Sequence, residues 1–178
     1  MRRVFCLVAL VLAFALSAAA QGAHGGSAGS QTPKAEVFLG GSYIESDGAN
    51  FRGWNASIAA NVNDWFGIAG DVSGHYFPPA NANIYTYTFG PQISYRKNTK
   101  VVPFAHALFG GFHAGAGLGG VSGSINGFAM NFGGGFDWVP HRNFAIRLIQ
   151  ADALVTRFAG ETSTDPRLSV GVVFRFGK

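Results

Sequence analysis

Hydrophobic and polar residues alternate along most of this chain. Over 168–176, Leu168, Val170, Val172, Phe174 and Phe176 share one face, while Ser169, Gly171, Val173 and Arg175 take the other. Period-two alternation predicts a strand between two unlike surroundings, and this strand is expected to close a sheet onto its own first strand. The first strand runs over 35–45, with Val37, Leu39 and Tyr43 opposite Glu36, Gly40 and Ser42. Trp54, Ala56, Ile58, Ala60 and Val62 mark the second, which ends at a tight Asn63-Asp64 turn, and the third opens at Trp65 and breaks at Phe77-Pro78-Pro79-Ala80-Asn81. The fourth, 84–96, alternates Tyr85, Tyr87, Phe89, Ile93 and Tyr95 with Thr86, Thr88, Gly90, Gln92, Ser94 and Arg96. Pro91 withdraws an amide from that ladder and predicts a bulge.

The fifth strand, 101–114, is ambiguous in phase, with Phe104, His106, Leu108 and Phe112 set against Pro103, Ala105 and Phe109. Gly115 to Ser124 reads as a glycine-rich loop. The sixth strand, 125–138, sets Phe128, Met130, Phe132, Phe136 and Trp138 against Gly127, Ala129, Asn131, Gly133, Gly135 and Asp137. In the seventh, 143–155, Arg147 and Asp152 differ in parity, which calls for a bulge between them. Thr156 to Arg167 reads as a polar loop. Eight strands result, with short links expected after the second, fourth and sixth and longer ones after the odd-numbered strands. An even strand number with loops sorted by side is the pattern of outer-membrane barrels.

Composition narrows the choice. Charged residues make up 12% of the 178, against 26 glycines and 14% aromatics, well below the roughly 25% charge of soluble domains. Arg2 and Arg3, the apolar run 4–16 and the small residues 17–20, with Ala18 and Ala20 before Gln21, predict a cleaved signal peptide over 1–20. Residues 21–34 read as a flexible tether and 35–178 as the barrel. Cys6 lies in the signal segment, so the mature chain is expected to carry no disulfide or thiolate site. Without Arg2 and Arg3 the 13 basic residues fall to 11 against 9 acids, and no basic patch points to nucleic acid.

Residue size decides which face is wet. The bulky face holds Phe, Tyr, Trp and Leu, and the other holds mostly Gly, Ala, Ser, Thr and Asn. The interior of a closed eight-stranded barrel is narrow, so the small polar face is expected inside and the bulky face against lipid, the inverse of a lipocalin. Aromatics then fall at the two membrane boundaries: Trp65, Tyr95 and Trp138 at the short-turn end, and Tyr43, Trp54, Tyr76 and Tyr85 toward the other. The fold class expected is all-β, an eight-stranded antiparallel up-and-down transmembrane β-barrel.

The stretches N-D-W-F-G-I-A-G-D, P-F-A-H-A-L-F-G-G and L-S-V-G-V-V-F-R-F carry a resemblance to the small outer-membrane β-barrel proteins, the OmpA/OmpX-like group of porin-family domains. The resemblance covers 35–177. It implies residence in the cell outer membrane after export through the periplasm, contact with outer-membrane lipids and lipopolysaccharide, and a C-terminal strand read by the assembly machinery. Members usually end on an aromatic residue, whereas here Gly177 and Lys178 follow Phe176.

Candidate chemistry is sparse. Some barrels of this size resemble lipid A deacylases or acyltransferases with a His/Ser pair at the rim; His75 with Ser73, and His106, are the candidates here. By alternation Ser73 and His75 face the lumen, out of reach of a lipid chain, so no catalytic residue is assigned. No spacing supports a metal site, and no cofactor is expected. The glycine run 115–120 lacks the Lys-Ser/Thr of a phosphate loop. The charges that matter are Glu36, Asp71, Arg96, Asp137 and Arg175 on the expected inner face, joined by Arg147 and Asp152 through the bulge. Buried charges persist when paired, so an internal ion-pair network is expected. The resulting reading is a monomeric, non-enzymatic outer-membrane protein of structural or surface-interaction role, its lumen plugged by polar and charged side chains. A small pore for ions or small solutes is the alternative, and a lipid A-modifying barrel the second alternative.

Overall fold

The computed structural model describes residues 32–177 apart from 47, 99, 119 and 120. The expected signal peptide and the tether as far as residue 31 lie outside the described residues. Eight strands follow in order: β1 (Ala35–Ser46), β2 (Ala49–Asn61), β3 (Phe66–Phe77), β4 (Ala82–Ser94), β5 (Val101–Leu118), β6 (Val121–His141), β7 (Phe144–Phe158) and β8 (Glu161–Phe176). Each pairs antiparallel with its neighbours in sequence, and β8 returns to β1 from Ala35↔Phe176 to Ile44↔Arg167, closing the barrel. Full closure leaves no sheet edge along these pairs, which is what a strand wall in hydrocarbon requires.

The alternation translates into an inverted surface. Leu39, Ile58, Ile68, Val72, Tyr87, Phe89, Phe109, Val170 and Phe174 all point outward and are exposed, Phe89 by 69% and Ile58 by 56%. Glu36, Asn55, Asp71, Ser73, His75, Asn131, Asp152 and Arg167 point inward and are buried. Apolar outside and polar inside costs free energy in water and is favourable in a bilayer.

Several expectations need correction. Residues 115–118 and 121–124 are not loop but strand: β5 and β6 stay paired from Gly115↔Ser124 to Leu118↔Val121, because ladder bonds need only backbone groups and glycine supplies them. Residues 156–167 are not a loop either. There β7 and β8 pair from Thr156↔Ser163 to Phe158↔Glu161 around a turn with Ala159 at φ 48° and Gly160 at φ 90°. Two positive φ values make the type I′ geometry that matches strand twist, and the threonines 162 and 164 are good strand formers despite their polarity.

The links are also not sorted by side. The longer ones, 62–65, 78–81 and 95–100, include two at the end that holds the termini. Asn63 and Asn98 shape those two: each side-chain Oδ1 accepts from the amides two and three residues on, an Asx-type turn. What grows at the opposite end is strand: β6 runs past its last β7 pair, Phe128↔Arg157, and β8 past its last β1 pair, Ile44↔Arg167. The wall stands taller along β5–β8.

Pro91 makes no bulge. Its ladder to β5 is interrupted between Phe89↔Phe109 and Gln92↔His106, but the register is the same on both sides. Gly90 keeps the backbones close, since a Cβ there would lie 2.2 Å from the Ala107 carbonyl oxygen. The β7 bulge is present: register shifts between Arg147 and Gln150 put Leu148 and Ile149 both outward and Arg147, Gln150 and Asp152 all inward.

The interior holds more bulk than alternation suggests. Phe38, Phe104, Leu108 and Phe112 are buried inside, with the β5 phase set by Phe104, His106, Leu108 and Phe112. Glycines make the space. A methyl on Gly40 would meet Phe38 Cζ at 2.6 Å, one on Gly171 would meet Phe38 Cε2 at 2.9 Å, and one on Gly127 would meet Phe112 Cε1 at 2.4 Å. At the end opposite the termini, Ile44, Phe51, Phe112, Ala129 and Leu154 form an apolar cap with Phe77, Ala82, Ile84 and Ala114. The Phe51 and Phe77 ring centroids lie 5.4 Å apart.

Gly171→Ala should damage the seam, because the added Cβ would sit 2.3 Å from the Leu39 carbonyl oxygen as well as against Phe38. Overpacking of this kind costs about 1–3 kcal/mol; urea unfolding in detergent micelles, followed by heat-modifiable gel migration, should show a lower midpoint than wild type. An unchanged midpoint would mean that β1 and β8 yield freely.

Candidate functional site

The polar interior is organised around Arg167 on β8, fully buried at 0% exposure. Its Nη1 donates to Asp71 Oδ1 on β3 at 2.8 Å, and its Nε and Nη2 donate to Asp152 Oδ2 on β7 at 3.0 and 2.8 Å. One guanidinium thus ties three strands across the lumen, the planar fork doing what a lysine ammonium could not. Asp71 also accepts from Asn55 Nδ2 at 2.8 Å, and Ser73 shares a 2.7 Å hydrogen bond with Thr86.

The network continues through the bulge. Gln150 Nε2 donates to Asp152 Oδ2 at 2.8 Å, Arg147 Nη1 donates to Gln150 Oε1 at 2.7 Å, and Arg147 grips Asp137 through Nε and Nη2 at 2.8 and 3.1 Å. An unbroken chain therefore runs Asn55–Asp71–Arg167–Asp152–Gln150–Arg147–Asp137. The Arg147 guanidinium is also stacked between Phe38 and Phe104, 4.4 and 4.1 Å from their ring centroids, which offsets part of its desolvation.

His106 Nε2 lies 3.0 Å from Asp152 Oδ1. His106 pairs with Gly133, and Gly133 with Asp152, so the contact passes over a residue with no side chain; a Cβ on Gly133 would lie 2.1 Å from Asp152 Oδ1. His75 Nε2 lies 2.9 Å from Ser42 Oγ, which also receives Ser169 Oγ at 2.9 Å. Both histidines considered for lipid chemistry, with Ser73, are thus buried inside the barrel.

A second group sits toward the termini. Glu36 accepts from Arg96 Nη1 and Nη2 at 3.2 and 2.6 Å, from Arg175 Nε at 3.1 Å and from Asn61 Nδ2 at 3.0 Å. The structure therefore places Glu36, Arg96 and Arg175 in one group and Asp71, Asp137, Arg147 and Asp152 in the other. Sequence reasoning missed Arg167, Gln150 and Asn61. Arg167 has the parity of Ser169, Gly171, Val173 and Arg175, a signal masked by reading its surroundings as a loop. Together these groups hold four arginines (96, 147, 167, 175) and four acids (36, 71, 137, 152), so the pairing is balanced.

Of the boundary aromatics, Trp54, Trp65, Tyr76, Tyr85 and Trp138 are exposed on the outer face, and Tyr43 and Tyr95 are half-buried. Tyr76 and Tyr85 pack edge-on with their hydroxyls 3.1 Å apart, and Tyr43 OH is hydrogen-bonded to Asn50 Oδ1. Gly74 makes room between Trp54 and Tyr85, since a Cβ there would lie 2.8 Å from Trp54 Nε1 and 3.0 Å from Tyr85 Cε1. Among the described residues no group of three or more His, Cys, Asp or Glu could hold a metal.

With this geometry in hand, comparisons give a consistent result. Residues 6–176 match the family described as "Outer membrane protein beta-barrel domain". Among solved structures, Neisserial surface protein A (NspA) is similar with a TM-score of 0.62 at 16% identity, over 80% of this chain and 96% of its own. Ail, the attachment invasion locus protein of Yersinia pestis, gives 0.57 at 21% identity over 82% and 100%. The N-terminal β-barrel domain of Pseudomonas aeruginosa OprF gives 0.56 at 15% identity over 82% and 100%. A comparison with curated proteins found no match.

Removing Arg167 strands two buried carboxylates, so Arg167→Met should cost about 3–5 kcal/mol. Arg175→Met should cost less, because Arg175 is only partly buried and Glu36 keeps Arg96. Equilibrium unfolding of the two variants side by side checks the order; equal losses would remove Arg167 from its central place.

Proposed function

The chain belongs to the outer membrane protein beta-barrel domain family and resides in the outer membrane, and from that premise we propose a non-enzymatic, monomeric protein of structural or surface-interaction role with a closed lumen. The observation that carries this reading is the pairing of the interior charges: every one expected from the sequence (Glu36, Asp71, Arg96, Asp137, Arg147, Asp152, Arg175) has an oppositely charged partner within hydrogen-bonding distance. Fixed charges that satisfy each other offer little to a passing ion, whereas selective pores present theirs to the permeant. The apolar cap of Ile44, Phe51, Phe112 and Leu154 adds a dry layer above the charges, so the plug is part apolar, beyond the polar one expected from the sequence.

In this reading the termini face the periplasm, and the tall hairpins β5–β6 and β7–β8, with the 78–81 turn, meet the outside. The outer face contacts lipids including lipopolysaccharide, and β8 is the strand offered to the assembly machinery. Against catalysis, His75 and His106 are committed to Ser42 and Asp152 within the interior; expression should leave the lipid A mass spectrum unchanged.

Refolded protein in a planar lipid bilayer should give no discrete conductance steps. The double variant Phe51→Ala/Phe112→Ala, which opens the cap, should raise membrane current above wild type. Regular single-channel steps from the wild-type protein would replace this reading with that of a small pore, and a lipid A mass shift abolished by His75→Ala or His106→Ala would replace it with an enzyme.

A further inference from the structure

The outer face of β1–β4 changes character row by row. Leu39, Ala56, Val72 and Tyr87 form an apolar row, and the row above it contains Trp54 and Tyr85. Next come Tyr43, Arg52 and Tyr76, paired in one line across β1, β2 and β3, and beyond them Glu45 and Asn50. Arg52 is exposed and outward, one row above the aromatic row, where hydrocarbon gives way to headgroups. It takes part in no ion pair among the described residues, although Glu45 lies in the adjoining row. On the strands, Arg147, Arg167 and Arg175 turn inward and pair, as does Arg96 in the link after β4, whereas Arg157 on β7 is exposed like Arg52 but lies outside this tyrosine-flanked row. An unpaired guanidinium on the lipid-facing wall is costly unless the bilayer supplies the anion.

We infer that Arg52, flanked by Tyr43 and Tyr76, binds the phosphate of a phosphorylated glycolipid headgroup in the outer leaflet. The guanidinium fork matches phosphate geometry. The two phenols beside it give polar edges to sugar hydroxyls, and the aromatic row of Trp54 and Tyr85 below it receives the start of the acyl chains. Because Arg52 projects from the outside of the wall, the ligand must arrive laterally as a lipid, not through the lumen. The site rests on the outer-membrane placement proposed above and deepens it by naming a lipid class and a position.

The test uses the folded protein in phosphatidylcholine nanodiscs doped with either bisphosphorylated or dephosphorylated lipid A, with retained lipid read by native mass spectrometry. Wild type should retain the bisphosphorylated form selectively. Arg52→Gln should retain it about tenfold less, the loss of one charge-assisted contact. Arg52→Lys should recover part of the difference, and Lys100→Gln, at the opposite end, should behave as wild type. Inorganic phosphate should not compete. Equal retention by Arg52→Gln and wild type, equal retention of both lipids, or displacement by inorganic phosphate would each overturn the site. Heat-modifiable migration of every variant keeps that result separate from the placement itself, which would instead fail if wild type did not insert at all.

Discussion

Arg167 bound between Asp71 and Asp152 is the interaction on which the interior depends. A charge carried to 0% exposure is tolerable only when its partners are in place, and these partners come from β3 and β7, on either side of the seam strand. The bulge at Leu148–Ile149 exists in physical terms to serve this contact. Without the extra residue, Arg147 and Asp152 could not both face inward. With it, Asp152 meets Arg167 while Arg147 reaches Asp137, and Gln150 links the two. Gly133 completes the arrangement by clearing the floor over which His106 reaches Asp152.

The barrel solves a packing conflict with glycine. A narrow interior must house phenylalanines as well as ion pairs, and it does so where Gly40, Gly171 and Gly127 leave a ring-sized hollow beside Phe38 or Phe112. Arg147, stacked between Phe38 and Phe104, joins the apolar and ionic layers. The lumen is therefore stratified, with ion pairs toward the termini, an ionic chain in the middle and an apolar cap at the far end.

Much of this was legible in the sequence because period-two alternation reports directly on which side of a wall a residue lies. Strand number, closure, the lipid-facing residues and the β7 bulge all follow from parity. Two kinds of error share one cause. Gly115–Ser124 and Thr156–Arg167 look like loops in the sequence because their composition is glycine-rich or polar, yet paired hairpins outside a bilayer need neither bulk nor apolarity. Arg167 is hidden within the second of them. Phe38 escapes the parity reading because an inward aromatic looks too large for the lumen, and only the backbone geometry shows that Gly40 on its own strand and Gly171 on β8 leave room for it.

The seam between the first and last strands also governs how the barrel can be made. Glu36 and Arg175, which meet across it, are 139 residues apart in sequence, and contacts of such long range slow folding. Hairpins can form as the chain arrives, but the ring cannot close until residues 161–176 have been delivered. Until then β1 presents a bare edge, open to mispairing. Timing, as much as stability, is therefore written into the position of the closing strand, and the arrival of Arg167 with that strand makes completion of the wall and neutralisation of its centre a single event.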